Sequence, residues 1–400
     1  MTEKLFDVQR LISETSVEEL NRLADEYFSN LTDRNYHLAK PFGSIEEVPK
    51  LLNSFAVVLQ GLSLCQGMTV LEFGAGTCWA TRFLTQLGCS VIALDVSPAA
   101  LDIGRELYER QPVFGAKPVP QFLVFDGRRI QLPDSSVDRI ICLDAFHHVA
   151  NQQEVLRELG RVLRDGGIAG FAEPGPEHSL SPMSQYEMNS YKVVERDVDI
   201  GEIWRLAKGT GFTDMKLAVF NTDPFLLPID DFQELADRQE AFARYAEATR
   251  EFLKEHRTFF LHKGEPRPLD SRSRAGLVAK IAIRPASLTI AVGDTIRLEA
   301  TVQNTSGSVW LPVSAGLGAV MLGCHVYHQS GEAFKKSYHW ESLTPEDGKE
   351  IFPGETVEFQ VNLPSLPAGS YILEFDMVSN EVCWFALNGS PTVRINVRVV

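Results

Sequence analysis

Between residues 68 and 174, short runs of continuous apolar residues alternate with stretches that are apolar on one face only. The runs are Thr69–Phe73, Val91–Asp95, Phe122–Asp126, Arg139–Asp144 and Ile168–Phe171. Unbroken apolarity predicts parallel strands buried on both faces, where strict alternation would predict a half-exposed sheet. The stretches between them carry helix signals. Trp79, Phe83, Leu84 and Leu87 form one apolar stripe that Gly88 stops, and Ser97 before Pro98 is a cap with proline in the first turn. Asn151 with Glu154 has the spacing of a capping box. This alternation predicts a Rossmann-like, doubly wound α/β domain.

On the N-terminal side, residues 1–65 read as helical, with a Ser16–Glu19 capping box before Leu20, Leu23, Ala24 and Phe28 at helical spacing. Residues 175–200 are polar and proline-bearing, and predict an irregular loop of the kind that often covers a substrate. A helix at Ile200–Lys208, a strand at Met215–Phe220, a long acidic helix near 230–255 and a last strand at Arg257–His262 follow. Lys263–Ser271 has a linker's composition. From about 276 the runs at 277–284, 296–303, 318–327, 355–362, 370–378 and 391–399 are separated by Gly, Asn and Pro, which predicts an all-β sandwich. The expected organisation is a helical cover over 1–65, an α/β domain over 66–265, a linker over 266–275 and a sandwich over 276–400.

Composition narrows the function classes. Lys plus Arg (38) against Asp plus Glu (53) leaves a net charge of −15, with an acidic excess in both halves, so nucleic acid is a poor partner. No apolar run approaches the roughly 18 residues of a membrane span, and the first residues lack a basic-then-apolar signal, so a cytoplasmic protein is expected. Cys65, Cys78, Cys89, Cys142, Cys324 and Cys383 are scattered singly, as small hydrophobes rather than a disulfide or zinc framework. None of these patterns speaks to oligomeric state.

The candidate chemistry gathers at the strand ends. Val70-Leu71-Glu72-Phe73-Gly74-Ala75-Gly76-Thr77-Cys78-Trp79 runs from a strand through a glycine loop into a helix. Glycine lets such a loop turn sharply and approach a ligand, and the helix start offers free N–H groups. A nicotinamide-dinucleotide fingerprint would need glycine where Trp79 stands. Asp95, followed by Val96, ends the second strand where a carboxylate can accept ribose hydroxyls; Asp126-Gly127 ends the third, placed for an adenine amino group. Acidic ends on consecutive strands converge on the edge where α/β sheets bind ligands.

Together these residues resemble the class I S-adenosylmethionine-dependent methyltransferases, closely over 68–175 and loosely to 263. Glu72-Phe73-Gly74-Ala75-Gly76 is similar to the family's first motif, Asp95 to its ribose acid and Asp126 to its adenine-side acid. Leu132–Asp138 leading to Asp144-Ala145-Phe146-His147-His148-Val149, and Leu156-Arg157-Glu158 through Gly167, resemble the small-molecule branch. One departure is Cys78 at the third glycine of the motif, which is expected to tighten the helix start and leave binding intact. The resemblance implies S-adenosyl-L-methionine as cofactor, held by Glu72, Gly74, Ala75, Gly76, Asp95, Val96, Asp126 and Gly127, with Asp144 near its methionine end.

The segments Asn304–Trp310 and Pro367–Tyr371 resemble turns of immunoglobulin-like sandwiches, and the region is similar to modules attached to bacterial surface-glycan enzymes. The expected activity is therefore methyl transfer to a hydroxyl of a sugar or glycan intermediate. The alternatives are a small apolar acceptor, quinone- or polyketide-like, and a glycan-binding protein with a cofactor pocket and little catalysis. A hydroxyl acceptor needs a base, for which His147 is the first candidate and His148 the second. Glu173, His178 and Tyr186, with Ser184, Asn189 and Tyr191 nearby, are candidate acceptor contacts. Asp144-x-x-His147-His148 could ligate a metal, but no second cluster supports it and none is expected. Trp310, Trp340, Trp384 and Phe385 are candidates either for stacking sugar rings or for filling the sandwich core.

Overall fold

A computed structural model describes residues 5–220, 226, 228–232, 242–343 and 348–400. The chain forms two compact units: one runs to Leu64 and from Met68 to Arg267, the other takes Cys65–Gly67 and Pro268–Val400. Among the described residues no helix is long and apolar enough to cross a membrane.

In the first unit, helices α1 (Val8–Glu14), α2 (Val17–Ser29), α3 (Asn35–Ala39) and α4 (Val48–Leu62) precede the sheet. The Ser16 side chain caps α2 by accepting from Glu19 N. Strands β1 (Thr69–Phe73), β2 (Ser90–Asp95), β3 (Gln121–Val124), β4 (Val137–Leu143), β5 (Leu163–Pro174), β6 (Asp214–Leu217) and β7 (His256–His262) form one sheet in the order β3-β2-β1-β4-β5-β7-β6. Pairing is parallel from β3 through β5, and β7 runs antiparallel to both its neighbours. Helices α5 (Trp79–Gln86), α6 (Pro98–Arg110), α7 (Gln152–Val162), α8 (Pro182–Tyr191), α9 (Ile200–Lys208) and α10 (Phe242–Glu255) complete the unit. Leu71, Ile140, Phe146, Phe171 and Phe259 fill its main core, so the continuous apolar runs do lie in a sheet covered on both faces. Strand order reverses between β1 and β4, and the loops leaving these strands part there to open a crevice.

Local details depart from the sequence reading in three places. Asn151 precedes α7 but its side chain caps nothing; it donates to Gly127 O (2.9 Å) and Glu154 Oε2 (2.7 Å), tying the loop after β3 to α7. Residues 175–200 are not irregular throughout, because α8 forms with Ser181 Oγ accepting from Ser184 N and Pro182 in its first turn. Strand β6 stops at Leu217, short of Phe220. Of the acidic helix expected near 230–255, residues 233–241 lie outside the described residues.

The second unit contains β8 (Ala279–Arg284), β9 (Ser287–Ile290), β10 (Ile296–Asn304), β11 (Val320–His328), β12 (Ala333–Ser342), β13 (Thr356–Leu363), β14 (Gly369–Ser379), β15 (Cys383–Trp384) and β16 (Val393–Val399). They form the sheets β13-β10-β8 and β12-β11-β14-β16-β9, with β15 on β14. Their facing side chains, among them Leu298, Val361, Phe375 and Val397, share one core. Trp310 and Phe385 are fully buried there and are core residues, whereas Trp340 is 41% exposed. The stretch read as a linker is divided. Ser271 is fully buried, its hydroxyl donating to Gly318 O (2.6 Å) and its carbonyl accepting from Ser379 Oγ (2.7 Å), so it belongs to the second unit's packing. All six cysteines are free and buried.

Candidate functional site

At the end of β1 the chain turns through Gly74, Ala75 and Gly76, and Asp95 at the end of β2 holds the turn. Its Oδ2 accepts from Gly76 N (2.7 Å) and its Oδ1 from Ser97 N (2.9 Å). Burial raises the Asp95 carboxyl above its ordinary value, while these backbone donors pull it back. Each oxygen keeps a lone pair free for a further donor. Glu72 lies beneath the loop, 3% exposed, accepting from the Thr81 hydroxyl of α5, and burial pushes its carboxyl up to about 8. Cys78 takes a left-handed conformation (φ 62°) as the residue before α5. Its side chain fits because α6 has Gly104 opposite, where an added Cβ would lie 2.5 Å from Cys78 Sγ.

A cavity of about 430 Å³ opens over these strand ends, within the range of small-molecule sites. Its floor is Gly74–Thr77, Asp95, Val96, Phe125, Gly127, Asp144 and Ala145. Its roof is α2, through Val17, Asn21, Ala24, Tyr27 and Phe28, and its side is the end of α8 with Tyr191–Val194. Helix α2 is held down by Asp25, whose Oδ1 accepts from Ser97 Oγ (2.7 Å) and Ala99 N (2.9 Å), and by Asn21 donating to Asp126 O (2.9 Å). Gly127 makes this approach possible, since a Cβ there would lie 2.5 Å from Val17 Cγ1. A nucleoside fits the lining. Asp95 offers acceptors for a diol, Phe125, Leu94 and Val96 an apolar slot, and Gly76 faces open space with no atom within 4 Å of an added Cβ.

On the other side of the cavity lies a cluster of imidazoles and carboxylates, in which His147, Glu173 and Glu195 are buried and His148 and His178 partly exposed. Glu173, at the end of β5, accepts from the N–H groups of Ala145 (3.2 Å), Phe146 (3.0 Å) and His147 (3.2 Å), and from His147 Nδ1 (2.7 Å). Its burial would raise the carboxyl, but the His147 bond and the backbone donors hold it below the ordinary range. Burial lowers His147, which His148 next to it reinforces. His148 Nδ1 bonds Val194 O (2.7 Å) and lies 3.2 Å from Glu195 Oε1. Burial opposes a charge on His148, yet Glu195 and the Val194 carbonyl prevail and raise it to about 9. His178 Nε2 meets Glu195 Oε2 at 2.7 Å. The Glu195 carboxyl is correspondingly held far below its usual range, against its own burial.

The structure thus brings Gly74, Ala75, Gly76, Asp95, Val96, Gly127, Asp144 and His148 onto one cavity. Glu72 sits behind that surface, and Asp126 is exposed, its Oδ1 taken by Arg128 N and Arg129 N (2.8 Å each). His147, Glu173 and His178 form the cluster behind His148 rather than the cavity wall. Tyr186 is 56% exposed and is not among the lining residues; its ring makes an edge contact with Tyr191, which in turn packs on Tyr27. Sequence reasoning missed Tyr27, Lys40 and Glu195. For Glu195 the available signal was a lone carboxylate following Val193-Val194 in a strand-free stretch.

Residues 71–171 match the family described as methyltransferase domain. A protein named as a probable S-adenosylmethionine-dependent methyltransferase of Mycobacterium tuberculosis is 28% identical over 175 residues, 44% of this chain and 60% of its own length. Demethylmenaquinone methyltransferase of Mycobacterium bovis is 31% identical over 140 residues, 34% of this chain and 55% of its own length. The match therefore spans less than two thirds of either relative. Among solved structures, phosphoethanolamine N-methyltransferase 2 of Haemonchus contortus is similar with a TM-score of 0.43 at 16% identity, over 63% of this chain and 61% of that one. An S-adenosylmethionine-dependent methyltransferase of Mesorhizobium loti is similar with a TM-score of 0.39 at 17% identity, over 53% and 96%. The family match falls on the strands and loops that make the cavity floor, so residues 71–171 carry a methyltransferase domain, similar to that of S-adenosylmethionine-dependent relatives.

Proposed function

We propose that this chain transfers the methyl group of S-adenosylmethionine to a hydroxyl of a sugar or glycan intermediate, with His148 receiving the hydroxyl proton. The observation that carries the reading is the single cavity in which the glycine loop and Asp95 share a wall with His148. Asp95 and the Gly74–Gly76 backbone would hold the cofactor's nucleoside, and Asp144 its methionine end. When bound, the cofactor supplies an electrophilic methyl, which leaves the protein the work of alignment and proton removal.

Because His148 is raised to about 9, it accepts a proton only in its neutral fraction, which grows as pH rises toward that value. In that fraction the hydrogen bond from Nδ1 to Val194 O keeps the proton on Nδ1 and leaves the Nε2 lone pair to accept. Glu195 beside the ring stabilises the imidazolium that results, the role a carboxylate plays behind a catalytic histidine. His147, the first candidate from sequence, is better suited to positioning, since its Nδ1 is committed to Glu173 and its ring is 4% exposed. Tyr27, Tyr191, Lys40 and Glu187 in the lining offer hydrogen-bonding groups to a hydroxyl-bearing acceptor. The relative named demethylmenaquinone methyltransferase supports a quinone-like acceptor as the second reading. The test is incubation of the full chain with the cofactor and either a glycan extract or a quinone. Gain of one CH₂ on a glycan component together with S-adenosylhomocysteine supports the reading. Methylation of the quinone alone overturns the choice of acceptor, and no S-adenosylhomocysteine with either overturns the activity.

A further inference from the structure

The cluster behind His148 has the makings of a metal centre. His147, His178 and Glu195 each present one ligand atom, and the three atoms lie within 4.8 Å of one another. Their sequence separations hide them from any spacing motif: they come from the turn after β4, the turn after β5 and the extended chain after α8. His178 Nε2 lies 2.7 Å from Glu195 Oε2, and His147 Nε2 lies 3.7 Å from the same oxygen. Tetrahedral zinc, with Zn–N and Zn–O near 2.0–2.2 Å, sets neighbouring ligands about 3.3 Å apart, between those two values. Small side-chain shifts would close the cluster on an ion.

Two independent features point the same way. The first is the support behind His147. Its Nδ1 is held at 2.7 Å by the buried Glu173 carboxylate, which fixes the ring and leaves Nε2 as the lone-pair nitrogen facing Glu195. Metal-bound histidines generally have their second nitrogen held in this way. The second is Glu195 itself, which is 2% exposed and whose Oε2 is the oxygen that both His147 Nε2 and His178 Nε2 face, while its Oε1, on the His148 side, accepts no well-formed hydrogen bond. His148 Nδ1 lies 3.2 Å from that oxygen, but it bonds Val194 O.

We propose that His147 Nε2, His178 Nε2 and a Glu195 oxygen bind one divalent first-row metal ion of the zinc class, a water completing the four-coordinate shell. Two imidazoles and one carboxylate suit zinc, and they are a poor set for calcium or magnesium, which take oxygen. This departs from the sequence expectation of no metal and does not rest on the proposed methyl transfer. The ion's effect is to tie the segment 178–195, which supplies Glu187 and Tyr191–Val194 to the cavity, to the turn after β4.

The test uses the full chain without an affinity tag, dialysed against a chelator and then titrated with Zn²⁺ and with Co²⁺. One equivalent should bind, the cobalt form should show the visible absorption of a four-coordinate ion, and zinc should raise the melting temperature. His178→Ala and Glu195→Gln should each weaken zinc binding by about 100-fold or more and abolish the zinc-dependent shift in melting temperature. Circular dichroism of each variant in chelator should match the parent, which separates a lost ligand from a lost fold. A parent protein that binds no zinc, or binds it as well as both variants do, overturns the proposal.

Discussion

The two units bury their strands in different ways, and the difference shows where this protein can do chemistry. In β4 nearly every residue is buried, so polar groups are driven to the strand ends. In β10 burial alternates, and the polar side chains leave the core along the strand's whole length. Three buried carboxylates of the first unit, Glu72, Asp95 and Glu173, accordingly sit on β1, β2 and β5 beside one cavity, and Glu195 reaches the same edge from the chain after α8. Buried polar groups of the second unit mostly bind its own backbone. Asn304 Nδ2 donates to Ser308 O (2.9 Å) and Ile351 O (3.0 Å) and pins a turn. Asp376 is an exception, one oxygen accepting from Ala386 N and the other from no group. A doubly covered sheet collects its polar groups at one edge, and a sandwich spreads them.

The strongest way to break this contrast is at the edge itself. His148→Ala should lower turnover by about 10²–10⁴ with cofactor affinity nearly unchanged, read by steady-state kinetics beside calorimetry. His147→Ala should instead lower thermal stability together with turnover, because it removes a buried partner of Glu173. Equal turnover in the His148 variant would move the proton acceptor elsewhere.

Next in size is the sandwich core. Trp310→Ala should destabilise the second unit by about 3–5 kcal/mol in chemical denaturation. Affinity for S-adenosylmethionine should not change, since every residue lining the cavity lies in the first unit. A fall in affinity would show that the two units are not energetically separate.

Smaller effects sharpen the contrast within the first unit. Asp95→Ala should weaken S-adenosylmethionine binding ten-fold or more, on the order of 1.4 kcal/mol. Unchanged affinity in a folded variant would remove Asp95 from the site. Glu72 gives a pH test. Its folded value of about 8 exceeds the ordinary carboxylate value, so the folded state holds a proton that the unfolded chain releases above about 4.3. Stability from this group is complete below that pH and is lost as pH rises through about 8. The melting temperature should decline over this window, and Glu72→Gln should flatten the decline. A parallel decline in the variant would assign it to other groups.

Much of this edge was legible because parallel strands demand unbroken apolarity, and Val70-Leu71, Ile92-Ala93-Leu94 and Ile140-Ile141-Cys142 supply it. The glycine loop and Asp95 follow from the same logic. Strand β12 was not legible. It is an edge strand whose first five residues are exposed, so Ala333-Phe334-Lys335-Lys336-Ser337 need show no alternation. Helix α8 was missed because it buries only Ser184 and Met188, too few for a stripe, although Ser181-Pro182 signals its start. The histidine–carboxylate cluster was half visible. His147 and His148 sit in a recognisable loop, but their partner Glu195 is brought in by the path of the chain after α8, which no local pattern encodes.

Cys78 carries a consequence for watching the domain move. The thiol is completely buried beneath the glycine loop, and burial with nearby carboxylates pushes it well above its ordinary value. A protonated, covered thiol does not react, so alkylation of Cys78 requires the loop to open. The cysteine that replaces a family glycine is therefore a built-in clock. Its labelling rate, followed by mass spectrometry, reports how often the loop opens, and a ligand seated on Gly76 should slow it in proportion to occupancy.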